Sequence, residues 1–170
     1  MQDLKRDHLA VSIADYEGLK AEERGLLLGR IMEDQPMLMG FLTNLADDFT
    51  DSEHEVLVDS AVILINAFVG VGIPIKTMPD PLIKEVIEEK VSQYEDNLQR
   101  MEAGEEELSA LSDSPVVFED LRNRALFKSD LSEASAQEQH NFLLVLEAVL
   151  AMVERMASLV IAEKENDEPR

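Results

Sequence analysis

Apolar residues recur along most of this chain at helical spacing, and strand-like alternation is confined to one stretch near the N-terminus. There Leu9, Val11 and Ile13 alternate with small or polar residues. Both a short extended segment and the edge of a helix fit, so residues 1–15 are left as a poorly defined N-terminal segment. The first clear helix is expected from about Ala21 to Glu33. Its acidic first turn, Glu22-Glu23, complements the positive end of the helix dipole, and Leu27, Leu28, Ile31 and Met32 form its inner stripe. Asp34 is expected to cap the next helix, with Pro36 in its first turn and Met37, Leu38, Phe41, Leu42 and Leu45 facing inward.

The strongest start signal is Thr50-Asp51-Ser52-Glu53, a capping box. The helix it opens is apolar nearly all round from Val56 to Val71 and is stopped by Gly70, Gly72 and Pro74. The run from Val56 to Ile75 has the length of a membrane span, but Asp59 and Asn66 interrupt it and glycine and proline break its last third. It reads as the central helix of a bundle. A fourth helix is expected from Asp80-Pro81 to about Met101, with Gly104 as its stop. Its seam of Ile87, Val91, Tyr94, Leu98 and Met101 is narrow and coiled-coil-like, suited to packing through one edge, on the bundle or against another copy.

Residues Ala103 to Asp113 read as an acidic connection. Ser114-Pro115 then starts a short helix with Val117, Phe118, Leu121 and Ala125 inside. The last helix begins around Ser132 to Ser135, where Ser135 and Glu138 offer a second capping box, and runs to about Lys164. Residues 165–170 are expected to fray. From Phe142 to Ile161 this helix is so apolar that its polar residues fall on a thin strip of Glu147, Glu154, Arg155 and Ser158. Such a helix is central to its own bundle or partly covered by a second subunit. The pattern thus predicts an all-α, single-domain bundle of about six helices over residues 1–170, with the third and the last at its centre.

Composition narrows the setting. Aromatics make up only 5% and there is no Trp, so the core is aliphatic. Thirty-six acidic residues against fifteen basic ones give a formal charge of −21, which repels phosphate backbones and anionic lipid surfaces. No nucleic-acid or membrane partner is expected, whereas a basic protein partner is compatible. The absence of cysteine excludes disulfide scaffolds, thiolate metal sites and thiol catalysis. The first eight residues lack the apolar segment of a signal peptide, and a cytoplasmic location is the expectation.

Candidate chemistry is sparse. His54 follows Asp51, and His140 follows Gln137, each at i+3. Di-iron bundles use Glu-x-x-His twice, because that spacing puts both ligands on one helix face. Here one copy has Asp, and the other an amide that cannot be an anionic ligand. Exposed or capping histidines are the simpler reading. Asp59 and Asn66, seven residues apart on one face, either shape a buried pocket or continue the polar edge of Ser52 and Glu55; the second reading is preferred. Met32, Met37, Met39 and Met78 suit a core or an adaptable groove. No Gly-x-Ser-x-Gly turn is present, and Gly70-Val71-Gly72 lacks the rest of a dinucleotide fingerprint. No catalytic, cofactor or metal residue is therefore assigned. The leading expectation is a non-enzymatic protein acting through protein–protein contacts, self-associating as a homodimer or other homo-oligomer. The alternative is a metal- or small-molecule-binding bundle, with or without enzymatic activity, using Asp51, His54, His140 and nearby acids.

Overall fold

A computed structural model describes residues 4–102 and 116–167, with side chains at 4–99 and 116–159. The described residues contain seven α-helices and no strand. They are α1 (Arg6–Glu17), α2 (Ala21–Asp34), α3 (Pro36–Asn44), α4 (Asp51–Gly70), α5 (Asp80–Glu102), α6 (Glu119–Lys128) and α7 (Ala136–Asp167), with a 3-10 turn at Val116–Phe118 leading into α6. The helix beyond the expected six is α1, in the segment left unassigned. Gly104, the 103–113 connection, Ser114-Pro115 and residues 168–170 lie outside the described residues.

The centre of the bundle is the pair α4 and α7, as the patterning implied. Helix α4 packs against α1, α3, α6 and α7, while α7 also packs against α5 and α6. Leu57, Ala61, Val62, Ile63 and Leu64 of α4 and Leu146, Val149, Leu150, Met152 and Val153 of α7 are fully buried in one apolar core. Each large aliphatic side chain so buried stabilises the fold by about 1.5–3 kcal/mol. Among the described residues no helix is long and apolar enough to cross a membrane.

The start of α4 forms as its sequence specifies. Glu53 N–H donates to Thr50 Oγ1 at 3.2 Å, and Thr50 N–H donates to Glu53 Oε1 at 3.1 Å. The end is equally determined. Ile73 N–H reaches back to the Phe68 carbonyl at 2.9 Å and Gly72 N–H to that of Val69 at 3.0 Å. This Schellman closure needs a left-handed residue, which Gly72 supplies at φ 85°. Helix α6 closes the same way, Leu131 N–H to Leu126 O and Asp130 N–H to Phe127 O, but there the left-handed residue is Asp130 at φ 62°.

Several expectations need correction. The residue before α3 is Gln35, not Asp34, and it makes no side-chain cap. Gln35 is buried and instead pins the 75–78 connection: its Nε2 donates to Lys76 O at 2.7 Å, and its Oε1 accepts from Met78 N–H at 2.9 Å. Met37 is exposed, and Leu38, Met39 and Leu42 make the inner face of α3. Met32 is likewise exposed, while Met78 is buried, so the four methionines form no common groove. Helix α7 continues to Asp167, past the expected end at Lys164.

The supposed polar strip of α7 is not one solvent-facing strip. Glu147 is buried with its Oε1 3.5 Å from Arg122 Nε of α6, and Arg155 Nη2 donates to Glu89 Oε2 of α5 at 2.6 Å. Burial pushes the half-buried Glu154 carboxyl above its ordinary range, and the hydrogen bond from Arg155 holds the Glu89 carboxyl below its own. The α7 circumference from Phe142 to Ala157 is thus largely covered by the same chain, with Leu143, Leu144 and Val145 half-buried. On α5, Val91 and Leu98 of the seam remain at the surface.

Candidate functional site

Helix α1 presents Leu9, Ser12 and Tyr16, spaced three and four, to the core. Ser12 Oγ donates to the Ile63 carbonyl at 2.7 Å, a bond that holds α1 close along the middle of α4. One turn on, the Tyr16 hydroxyl donates to Asp59 Oδ1. Two surface depressions flank this contact.

On one side lies a polar cleft of about 330 Å³ where α1, α2, α4 and α6 meet. Ser52, Glu55 and Asp59 supply its α4 wall, so the polar edge read from the sequence exists. It borders a cluster of charged side chains, with Ser52 and Glu55 exposed and Asp59 half-buried. Glu17 closes α1, Arg24 reaches in from α2, and Arg124 and Lys128, one turn apart on α6, complete the wall. Arg124 Nε donates to Glu17 Oε1 at 2.9 Å, and Lys128 Nζ stands 3.9 Å from the same oxygen. Arg24 Nη2 donates to the Glu17 backbone carbonyl at 3.3 Å. Both guanidinium groups sit by the Tyr16 ring, at 5.1 Å for Arg24 and 6.0 Å for Arg124, within cation–π range. The Nε of Arg24 and Nη1 of Arg124 are buried with no hydrogen-bond partner.

Electrostatics in the cleft follow from burial. Burial pushes the Asp59 carboxyl above its ordinary range, opposed by the Tyr16 bond and the Arg124 and Arg24 charges and reinforced by Glu55. Burial, followed by the bond to Asp59, raises the Tyr16 phenol above its ordinary range. Asp59 thus continues the polar edge of α4, half-buried against Tyr16, and does not pair with Asn66. Asn66, half-buried, lines the second depression.

That depression is an apolar groove of about 460 Å³ between α1, the middle of α2 and the end of α4. Val11, Tyr16, Leu19, Leu27, Ala67, Val69 and Val71 supply most of its wall, with Asp15 and His8 at its polar points. Val11 and Val69, both lining it, are 60% and 53% exposed.

The residues singled out for metal binding do not converge. Asp51 is the exposed first residue of α4, and His54 is engaged with the Leu42 carbonyl through Nε2 at 2.8 Å. His140 is buried, its ring 4.1 Å from that of Tyr94 and tilted by 41°. Neither of its ring nitrogens has a hydrogen-bond partner, and burial lowers its proton affinity. Among the described residues no group of three or more His, Asp or Glu is placed to hold a metal ion.

The sequence missed Tyr16, Arg24, Arg124 and Lys128. Only Tyr16 left a local trace, its helical spacing from Leu9 and Ser12; the arginines are brought together by tertiary packing alone. Comparison of the chain with protein-family models, with curated proteins and with solved structures finds no match.

Proposed function

We propose that this protein is a protein–protein interaction module whose apolar groove holds a short apolar segment of a basic partner. One observation carries the reading: Val11 and Val69 expose more than half of their surface on the walls of a concave, mostly apolar groove. Apolar concavities lined by a few polar points are the usual shape of a recognition site. Charge decides the kind of occupant. A chain of net charge −21 repels a second copy of itself and attracts a segment flanked by Lys or Arg. Two patterns favour self-association, the apolar girth of α7 and the seam on α5. The first is largely covered by its own chain as far as Ala157, while Val91 and Leu98 of the second stay at the surface. A dimer through this groove is thus the alternative occupant.

The reading is tested with two synthetic amphipathic helical peptides sharing one leucine face, one flanked by lysines and the other by glutamates. Fluorescence anisotropy should show the lysine-flanked peptide binding the protein, with affinity falling as salt is raised. Val69→Asp should weaken it by about tenfold or more. Failure of that peptide to bind, or binding indifferent to Val69→Asp, would overturn the reading. A dimer in sedimentation that Val69→Asp dissolves would assign the groove to a second copy.

A further inference from the structure

We propose that the polar cleft bounded by α1, α2, α4 and α6 binds a small organic carboxylate, held by the guanidinium groups of Arg24 and Arg124. This site lies on the far side of the Tyr16–Asp59 contact from the apolar groove and does not depend on what the groove holds.

The cations come first. A chain with thirty-six acidic residues gathers three of its fifteen basic ones, Arg24, Arg124 and Lys128, around one depression. Their role is not exhausted by local ion pairing. Glu17 engages Arg124 through Nε alone and meets Lys128 at 3.9 Å, while Asp59 takes its bond from Tyr16. That leaves Arg124 Nη1 and Arg24 Nε buried without an acceptor, on two of the side chains that line the cleft. Buried donors are nearly always bonded, and two unsatisfied guanidinium N–H groups in one cleft point to an acceptor that arrives with a ligand.

Orientation is already fixed. Both guanidinium groups lie against the Tyr16 ring, with Arg24 Nη2 tethered to the Glu17 backbone carbonyl and Arg124 Nε to Glu17 Oε1. Planar forks held in this way suit the two oxygens of a carboxylate. Phosphate shares the fork geometry, but Asp59 and Glu55 line the same cleft and repel a dianion more strongly than a monoanion. A volume of about 330 Å³ admits a small molecule rather than a peptide.

The test uses the whole 15N-labelled protein and follows the Nε–Hε signals of its arginines during titration with sodium acetate and, separately, inorganic phosphate, at constant ionic strength. Acetate should move the Arg24 and Arg124 signals along a saturating curve and leave that of Arg30, exposed on α2, in place. Arg24→Gln should weaken binding by about tenfold or more. Arg24→Lys, which keeps the charge and loses the fork, should also weaken it. Lys84→Gln, at an exposed position on α5, should bind as wild type does. These Arg24 variants are preferred because Arg124 also carries the ion pair to Glu17. Linear shifts without saturation, or binding unchanged by Arg24→Gln, would overturn the site. Tighter saturation by phosphate than by acetate would overturn the carboxylate assignment.

Discussion

The Tyr16 hydroxyl donates to Asp59 Oδ1 and so ties α1 to α4 across 43 positions of sequence. Hydrogen bonds to a charged, partly buried acceptor contribute about 1.5–3 kcal/mol, so Tyr16→Phe should lower unfolding stability by about that amount. The pH dependence is more diagnostic. Because burial in the folded state raises the Asp59 pKa, Asp59 contributes stability that is fully present below its unfolded pKa and is lost as pH rises through the folded one. Asp59→Asn removes that loss while keeping an acceptor for Tyr16. Denaturant titrations should therefore show the variant gaining on wild type as pH rises from about 4.

Helices α4 and α6 end on the same closure with different residues, and their responses to substitution should be opposite. Gly72→Ala places a Cβ at φ 85° and should cost about 1–2 kcal/mol. Asp130→Gly relieves a left-handed non-glycine residue at φ 62° and should be neutral or stabilising by up to about 1 kcal/mol. Nothing lies within 4 Å of a Cβ built on Gly72, so the penalty there would be conformational. Midpoints of chemical unfolding measure both.

Arg122 and Glu147 bring opposite charges into the α6–α7 interface at 3.5 Å, with side chains 18% and 5% exposed. Arg122→Met removes the guanidinium beside a buried carboxylate and should lower stability by up to about 3–5 kcal/mol. Combining it with Glu147→Leu removes both charges and should recover most of the loss. A double variant as unstable as the single one would mean that Glu147 is needed for something other than Arg122.

His140 should make the protein acid-sensitive. Its folded proton affinity is lowered by burial, so the unfolded chain takes up the proton first as pH falls. Stability from this group is thus fully present above about pH 6.5 and is lost as pH falls through the folded value. His140→Phe keeps a ring against Tyr94 and removes the titration. Between about pH 8 and 5, wild type should lose stability relative to that variant.

Fold and site differed in how much of each the sequence disclosed. Thr50 and Glu53, Gly72, and the girth of α4 and α7 act within one helix, so local pattern revealed them. Helix α1 was hidden because Ser12, an inward residue, is polar and Val11, an outward one, is apolar. Gln35 and Glu147 show the same limit, since each is a polar residue buried by a partner far away in sequence. Asp59 stood out as an intruder in an apolar helix, but Tyr16, Arg24 and Arg124, which give it meaning, come from three other helices.

The central claim, that the groove between α1 and the end of α4 is the docking face, is tested most directly by methyl chemical-shift mapping. On addition of the lysine-flanked leucine peptide, shifts should concentrate on Val11, Leu19, Leu27, Val69 and Val71. Shifts centred instead on Val91 and Leu98 of α5, with the groove methyls unmoved, would contradict it.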